Sequence, residues 1–176
     1  MYRYSRVHSA AFVLAFALTL PATAFADVPK GPAPALNATL KVSGADGKTT
    51  TLDIAALNKL PQHEVHAQAH GKAVNCEGPA LIDVLVSVDA PHGEALRGKG
   101  LALYVRASAT DGYRAVFSLA EIDPATGGDV APIVTARCDG RPLDAKDGPL
   151  RIVAPRDLRP ARWVRQLNAL DLLSTP

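Results

Sequence analysis

Asp111-Gly-Tyr-Arg-Ala-Val-Phe-Ser-Leu-Ala-Glu-Ile-Asp123 is the most informative stretch of the 176-residue chain. Asp111-Gly112 is a turn signal, because glycine takes positive φ freely and an aspartate carboxylate can accept a hydrogen bond from nearby backbone. Tyr113, Ala115 and Phe117 alternate with Arg114 and Val116, the period of a β-strand with two unlike faces. The acidic remainder, ending at Asp123, has the length of one helical turn. Turn, short strand and acidic helical turn are therefore predicted here, with an arginine-rich loop downstream.

Towards the amino terminus the elements are short. Leu101 to Ala107 is an apolar strand leading into the quoted segment. Leu40 and Val42 alternate with polar neighbours, Asp46-Gly47 turns the chain, and Thr49 to Leu52 returns, which predicts a hairpin. Asp53 can cap a helix over Ile54 to Leu60 that Pro61 stops. His63 to His70 is extended, with Val65, Ala67 and Ala69 on one face, and Gly71-Lys72 leads into a strand from Ala73 to Cys76. After Gly78-Pro79, Leu81, Val84, Leu85 and Val88 make one buried helical stripe, closed by Pro91 and Gly93.

Towards the carboxyl terminus, Pro124 to Asp129 reads as a loop and Val130 to Arg137 as an apolar strand. Asp139-Gly140 is a hairpin turn, and Leu150 to Val153 is short and apolar. Pro155 to Pro160 is irregular, and a final strand is predicted from Trp163 to Leu172. Strands outnumber helices and the helices are interspersed, so the fold class is α+β with a mixed β-sheet.

Residues 1–26 carry Arg3 and Arg6, an apolar run from Ala10 to Leu20 and the small-residue site Ala24-Phe-Ala26. That is the pattern of a secretory signal peptide, so a periplasmic or secreted protein is expected. Residues 27–35, with three prolines, form an extended leader, and residues 36–176 the folded domain. No later segment has the length and apolarity of a membrane span. Without Arg3 and Arg6, the 19 basic side chains fall to match the 17 acidic ones. A formally neutral mature chain gives no basis for nucleic-acid binding. Cys76 and Cys138 are the two cysteines, and an oxidising compartment allows either a disulfide or two separate thiols.

Several segments, in order, carry a family resemblance: Gly78-Pro-Ala-Leu-Ile-Asp-Val-Leu85, the Asp111–Asp123 stretch, Asp139-Gly-Arg-Pro-Leu143, Gly148-Pro-Leu-Arg-Ile-Val153 and Arg162-Trp163. Together they resemble the sulfite-oxidase-like molybdopterin-binding domain, in its small exported bacterial form, from about Leu36 to Leu172. The resemblance implies that fold in reduced form. In the larger enzymes of the family, a molybdopterin cofactor holds molybdenum through its dithiolene and one protein cysteine supplies a thiolate ligand. Here the chain that carries that cysteine, upstream of the Gly78 segment, is missing. Cys76, two residues before Gly78, stands either as a metal ligand or as a structural thiol. The loop from Pro155 to Trp163 matches the family's cofactor loop, but Arg156 and Pro160 occupy positions where glycine is expected. Arginine binds phosphate well and cannot reproduce the close backbone approach of glycine.

Arg151, Arg156, Arg159, Arg162 and Arg165 face a single acid, Asp157, within their own stretch. Arg156, Arg159 and Arg162, with Tyr113 and Arg114 beside them, are the candidate pocket for an anion or a pterin phosphate. The competing explanation pairs these arginines with Asp123, Asp129, Asp144 or Asp147 across the surface. His63, His66 and His70 are spread along a strand and fit a solvated face better than a metal site. Two functions follow as expectations. One is a cofactor-free module for an anionic small molecule or a periplasmic protein partner; the other is a periplasmic oxidoreductase using molybdopterin.

Overall fold

The computed structural model describes residues 38–175. The expected signal peptide, residues 1–26, and the expected proline-rich leader, residues 27–35, lie outside the described residues. Five strands form the main sheet: β1 (Thr39–Ser43), β2 (Thr49–Asp53), β5 (Leu103–Ala109), β6 (Arg114–Ser118) and β11 (Leu167–Ser174), in the order β2-β1-β11-β5-β6. β1 and β11 run parallel and the other neighbours antiparallel, so the sheet is mixed, as its class predicts. A four-stranded sheet has the order β3-β4-β8-β9, built from β3 (Gln62–Ala69), β4 (Lys72–Pro79), β8 (Arg137–Cys138) and β9 (Arg141–Pro142). β7 (Ile133–Thr135) pairs with β10 (Arg151–Val153), and an isolated bridge from Ala80 to Ile133 ties that pair to the end of β4.

The hairpin at the quoted stretch follows its sequence. The Asp111 carboxylate accepts from the Tyr113 amide at 2.9 Å, and Gly112 sits at φ 87°. Ala115 and Phe117 point into the core while Arg114 and Val116 face water. Ser118 caps the helical turn α3 (Leu119–Ile122), its hydroxyl accepting from the Glu121 amide, and Leu119 and Ile122 are fully buried. Helix α2 (Leu81–Val86) buries the predicted stripe of Leu81, Val84 and Leu85, and Val88 follows it inward. These side chains join both sheets in one apolar cluster with Leu40, Phe117, Ile152 and Leu170 among its largest members.

Several boundaries differ from the sequence-based expectation: β7 keeps only Ile133–Thr135 of the strand expected over Val130 to Arg137, β4 outruns Ala73 to Cys76 at both ends, and four others have a local reason. Helix α1 (Ile54–Leu57) is capped by Asp53 as predicted but stops before Leu60, where Gln62 donates to the Leu57 and Leu60 carbonyls. Pro124–Gly127 is a helical turn, α4, because Asp123 caps it and proline suits the first helical position. β5 begins two residues late because a 3₁₀ turn occupies Gly98–Ala102. The last strand begins at Leu167, four residues late, since Gln166 takes φ 49° and breaks the extended run from Trp163. Trp163 is nonetheless buried and donates its indole N–H to the Ala154 carbonyl at 2.9 Å.

Cys76 and Cys138 form a disulfide across the register-paired positions of β4 and β8. This decides between the alternatives left open by the sequence, and it removes Cys76 as a metal ligand. Asp139 and Gly140, at φ 51° and 70°, make the predicted hairpin turn between β8 and β9.

Candidate functional site

A cleft of about 530 Å³ lies between the α3–α4 segment and the loop from Ala154 to Arg162. Ser118, Glu121, Thr126, Arg156, Asp157 and Arg162 supply its polar lining. Local sequence explains how they converge. Burial of Leu119 and Ile122 turns α3 so that Glu121 faces outward. Asp123 is 1 % exposed and holds the floor: its carboxylate accepts from the Ala125 amide at 2.8 Å and from the Gly93 amide at 2.6 Å. Those two bonds fix α4 against the 92–95 loop and so place Thr126 and the Gly127 carbonyl.

Arg162 is the hub of the opposite wall. Its guanidinium grips Asp157 through two hydrogen bonds, at 3.1 and 2.7 Å, and donates to Glu121 at 2.6 Å. It also reaches the Val116 carbonyl at 3.3 Å and lies 4.6 Å from the centre of the Phe117 ring. Hydrogen bonding to Asp157, reinforced by Glu121, holds its pKa above the ordinary arginine value against a smaller opposing effect of burial. Two carboxylates and one carbonyl thus take most of its donors. The Arg162 charge is spent inside the protein.

Arg156 differs. It donates to the Gly127 carbonyl and has no carboxylate partner among the described residues, although it lines the same cleft. It is exposed, so the rest of its fork is open to solvent. The cleft therefore contains a bonded cluster of Glu121, Asp157 and Arg162, which carries one excess negative charge, and one arginine, Arg156, that meets no carboxylate directly. Ser118 already serves as a helix cap, while Thr126 is a further polar residue of the lining.

The remaining expected residues separate into distinct places. Tyr113 donates its hydroxyl to the Ala161 carbonyl at 2.5 Å, so it braces the loop from outside the cleft lining. Arg159 and Arg114 are exposed, and neither lines the cleft. Arg151 pairs with Asp147 at 2.5 Å and stacks 5.3 Å from the Trp163 ring centre. Burial pushes its pKa down, and Asp147 opposes the shift. Arg165 reaches the same Asp147 at 3.7 Å. Cross-surface pairing therefore accounts for Arg151 and Arg165. Glu121 was missed because its partner Arg162 lies 41 positions away. The Ser118-x-x-Glu121 spacing of a helix cap was the visible signal, and it reports the helix and not the ion pair.

Among the described residues no group of three His, Cys, Asp or Glu side chains converges as a metal site. His63 instead lies 3.2 Å from Asp83, while His66 and His70 are exposed further along β3 and its turn. The fit to a molybdopterin cofactor fails at its protein ligand. The sequence has two cysteines, both are in the disulfide, and no thiolate remains to meet a metal.

No protein-family model matches the chain, and no curated protein matches it. Among solved structures it is similar to the sulfane dehydrogenase SoxCD from Paracoccus pantotrophus, with a TM-score of 0.59 and 16% sequence identity. The alignment covers 80% of this chain and 39% of that one, so the chain spans well under half the length of the protein it matches. Likeness at that identity is a likeness of fold. The chain is a mixed α+β domain similar in fold to part of that dehydrogenase.

Proposed function

We propose that this chain is an exported binding module on a sulfite-oxidase-like fold, working without a molybdenum cofactor. It holds one anionic group, carried by a small molecule or by a partner protein, at Arg156. The observation that carries this is the Arg156 fork, which bonds to a carbonyl and to no carboxylate in a cleft whose other charged groups are bonded to one another. A planar fork with unfilled donors selects an oxyanion or carboxylate, and the Thr126 hydroxyl can add a further bond.

Titration calorimetry of the mature protein with inorganic sulfite, sulfate and phosphate tests it. One anion is expected to bind at a single site, and Arg156→Ala should weaken that binding by about tenfold or more, the worth of a hydrogen bond to a charged group. Arg165→Ala, which removes a more distant arginine already paired with Asp147, should leave it unchanged. Equal affinity in the wild type and Arg156→Ala would remove Arg156 as the site.

The fold likeness favours a second reading, a periplasmic oxidoreductase that binds molybdopterin without a cysteine ligand. Metal and pterin analysis of protein purified from its native exported compartment separates the two. We expect a mass that starts at Asp27 and molybdenum far below one atom per chain. A near-stoichiometric metal content would overturn the cofactor-free proposal, and a retained amino terminus would overturn export by cleavage.

A further inference from the structure

We infer that the tip of the 155–160 loop is a docking surface for an acidic protein partner with an apolar socket that receives Leu158. Leu158 is 101% exposed, so no part of it rests on its own fold. Single exposed leucines are ordinary on protein surfaces. This one stands on a loop that the fold holds rigid. Arg162 clamps the neighbouring Asp157 side chain, and the Asp157 amide donates to the Ala154 carbonyl at 3.1 Å. Tyr113 holds Ala161, Arg156 holds the Gly127 carbonyl, and Pro155 and Pro160 stiffen both ends. Ordering such a loop on binding costs little, because the fold has already ordered it.

The surroundings name the partner's chemistry. Arg159, next to Leu158, has no carboxylate partner among the described residues. β6, to which Arg162 and Tyr113 tie the loop, is an edge strand that exposes Arg114 and Val116, with Tyr113 half exposed just before it. Apolar side chains among unpaired arginines suit a socket rimmed by carboxylates, where arginine contributes strongly and opposite charge steers the encounter. A second copy related by a two-fold axis would set the same arginines against each other. Strand addition at β6 is disfavoured, because the Arg162 guanidinium already occupies the Val116 carbonyl. The surface adjoins the anion cleft, which Pro155, Arg156 and Asp157 of the same loop line, but the lining includes neither Leu158 nor Arg159.

Photo-crosslinking in the native host tests this, with p-benzoylphenylalanine replacing Leu158 in the full chain and Thr51 as an exposed control position. The expected result is one dominant adduct with an acidic protein, identified by mass spectrometry. That protein, purified, should bind the wild-type chain. Leu158→Asp and Arg114→Glu/Arg159→Glu should each weaken binding by about tenfold or more. Unchanged thermal unfolding and unchanged oxyanion binding in these variants would separate loss of docking from misfolding and from failure of the Arg156 site. The inference is overturned by no adduct above the Thr51 control, or by adducts with phospholipid, a second copy, the chain's own residues before 38, or a basic protein. It is equally overturned if the adduct protein binds the variants as tightly as the wild type.

Discussion

Replacing Cys76 and Cys138 by serine, or reducing the bond, is expected to lower the free energy of unfolding by about 4 kcal/mol. The bond closes a sequence separation of 62 residues, and the loop entropy it removes from the unfolded chain gives that figure. Local packing offers little to replace it. β8 and β9 are two residues each, and Arg137, Arg141 and Pro142 are exposed, so this ribbon brings almost no apolar surface to the core. Its remaining attachments are polar: the Asp139 amide to the Asn75 carbonyl at 2.6 Å, the Asp139 carboxylate to the Asn75 amide, and the register pair of Glu77 with Arg137. Urea unfolding of the oxidised protein, the reduced protein and the Cys76→Ser/Cys138→Ser variant measures the effect. In the last two, amide exchange should accelerate first around residues 137–143. An unchanged unfolding midpoint would show that the bond constrains nothing the fold does not already hold.

A comparable loss, about 3 kcal/mol or more, is expected for Gly78→Ala. A β-carbon at position 78 would lie 2.0 Å from the Val134 carbonyl oxygen and 2.9 Å from its carbon. Both are backbone atoms in a strand, so no rotamer change relieves the clash. β4 would have to separate from β7 at the junction where Ala80 bridges Ile133 and the Leu81 amide donates to the Pro132 carbonyl. Helix α2 starts at that point, so the displacement would reach the buried stripe of Leu81, Val84 and Leu85. Thermal unfolding of Gly78→Ala against the wild type checks this, and a transition within a degree or two of the wild type would mean the strands can part cheaply. The glycine that opens the family-like Gly78–Leu85 segment is thus explained by contact between two backbones.

Local signals in the sequence were accurate where the physics is local. The Asp111-Gly112 turn, the alternation through Phe117, the acidic helical turn after it, the Asp53 cap and the helical stripe ending at Val88 each depend on neighbours within a few residues. Boundaries slipped where a single backbone angle decided them, as at Gln166, whose left-handed φ no propensity rule favours. The candidate site was half legible. A run of arginines says that positive charge accumulates, but not which charges the fold spends internally. Arg162 and Arg156 look alike in sequence, yet one is held by Glu121 and Asp157 and the other meets only a carbonyl. Asp157 stands five positions from Arg162 and only one from Arg156, so spacing does not say which arginine it holds, and the Glu121 contact spans 41 positions, beyond any local pattern.

The parallel pairing of β1 with β11 places the last strand in the middle of the main sheet, between β1 and β5. A chain that emerges amino terminus first presents the β1–β2 hairpin and the β5–β6 hairpin before the strand that joins them. Until Leu167–Ser174 is free, the sheet exists as two unconnected ribbons with four apolar side chains of its centre, Leu40, Val42, Val105 and Ala107, lacking their neighbour. The closing contact spans nearly the whole described chain, which makes it slow in the way that high contact order makes folding slow. Arrival of this last strand, and not the growth of any one earlier segment, is then the event that completes the main sheet.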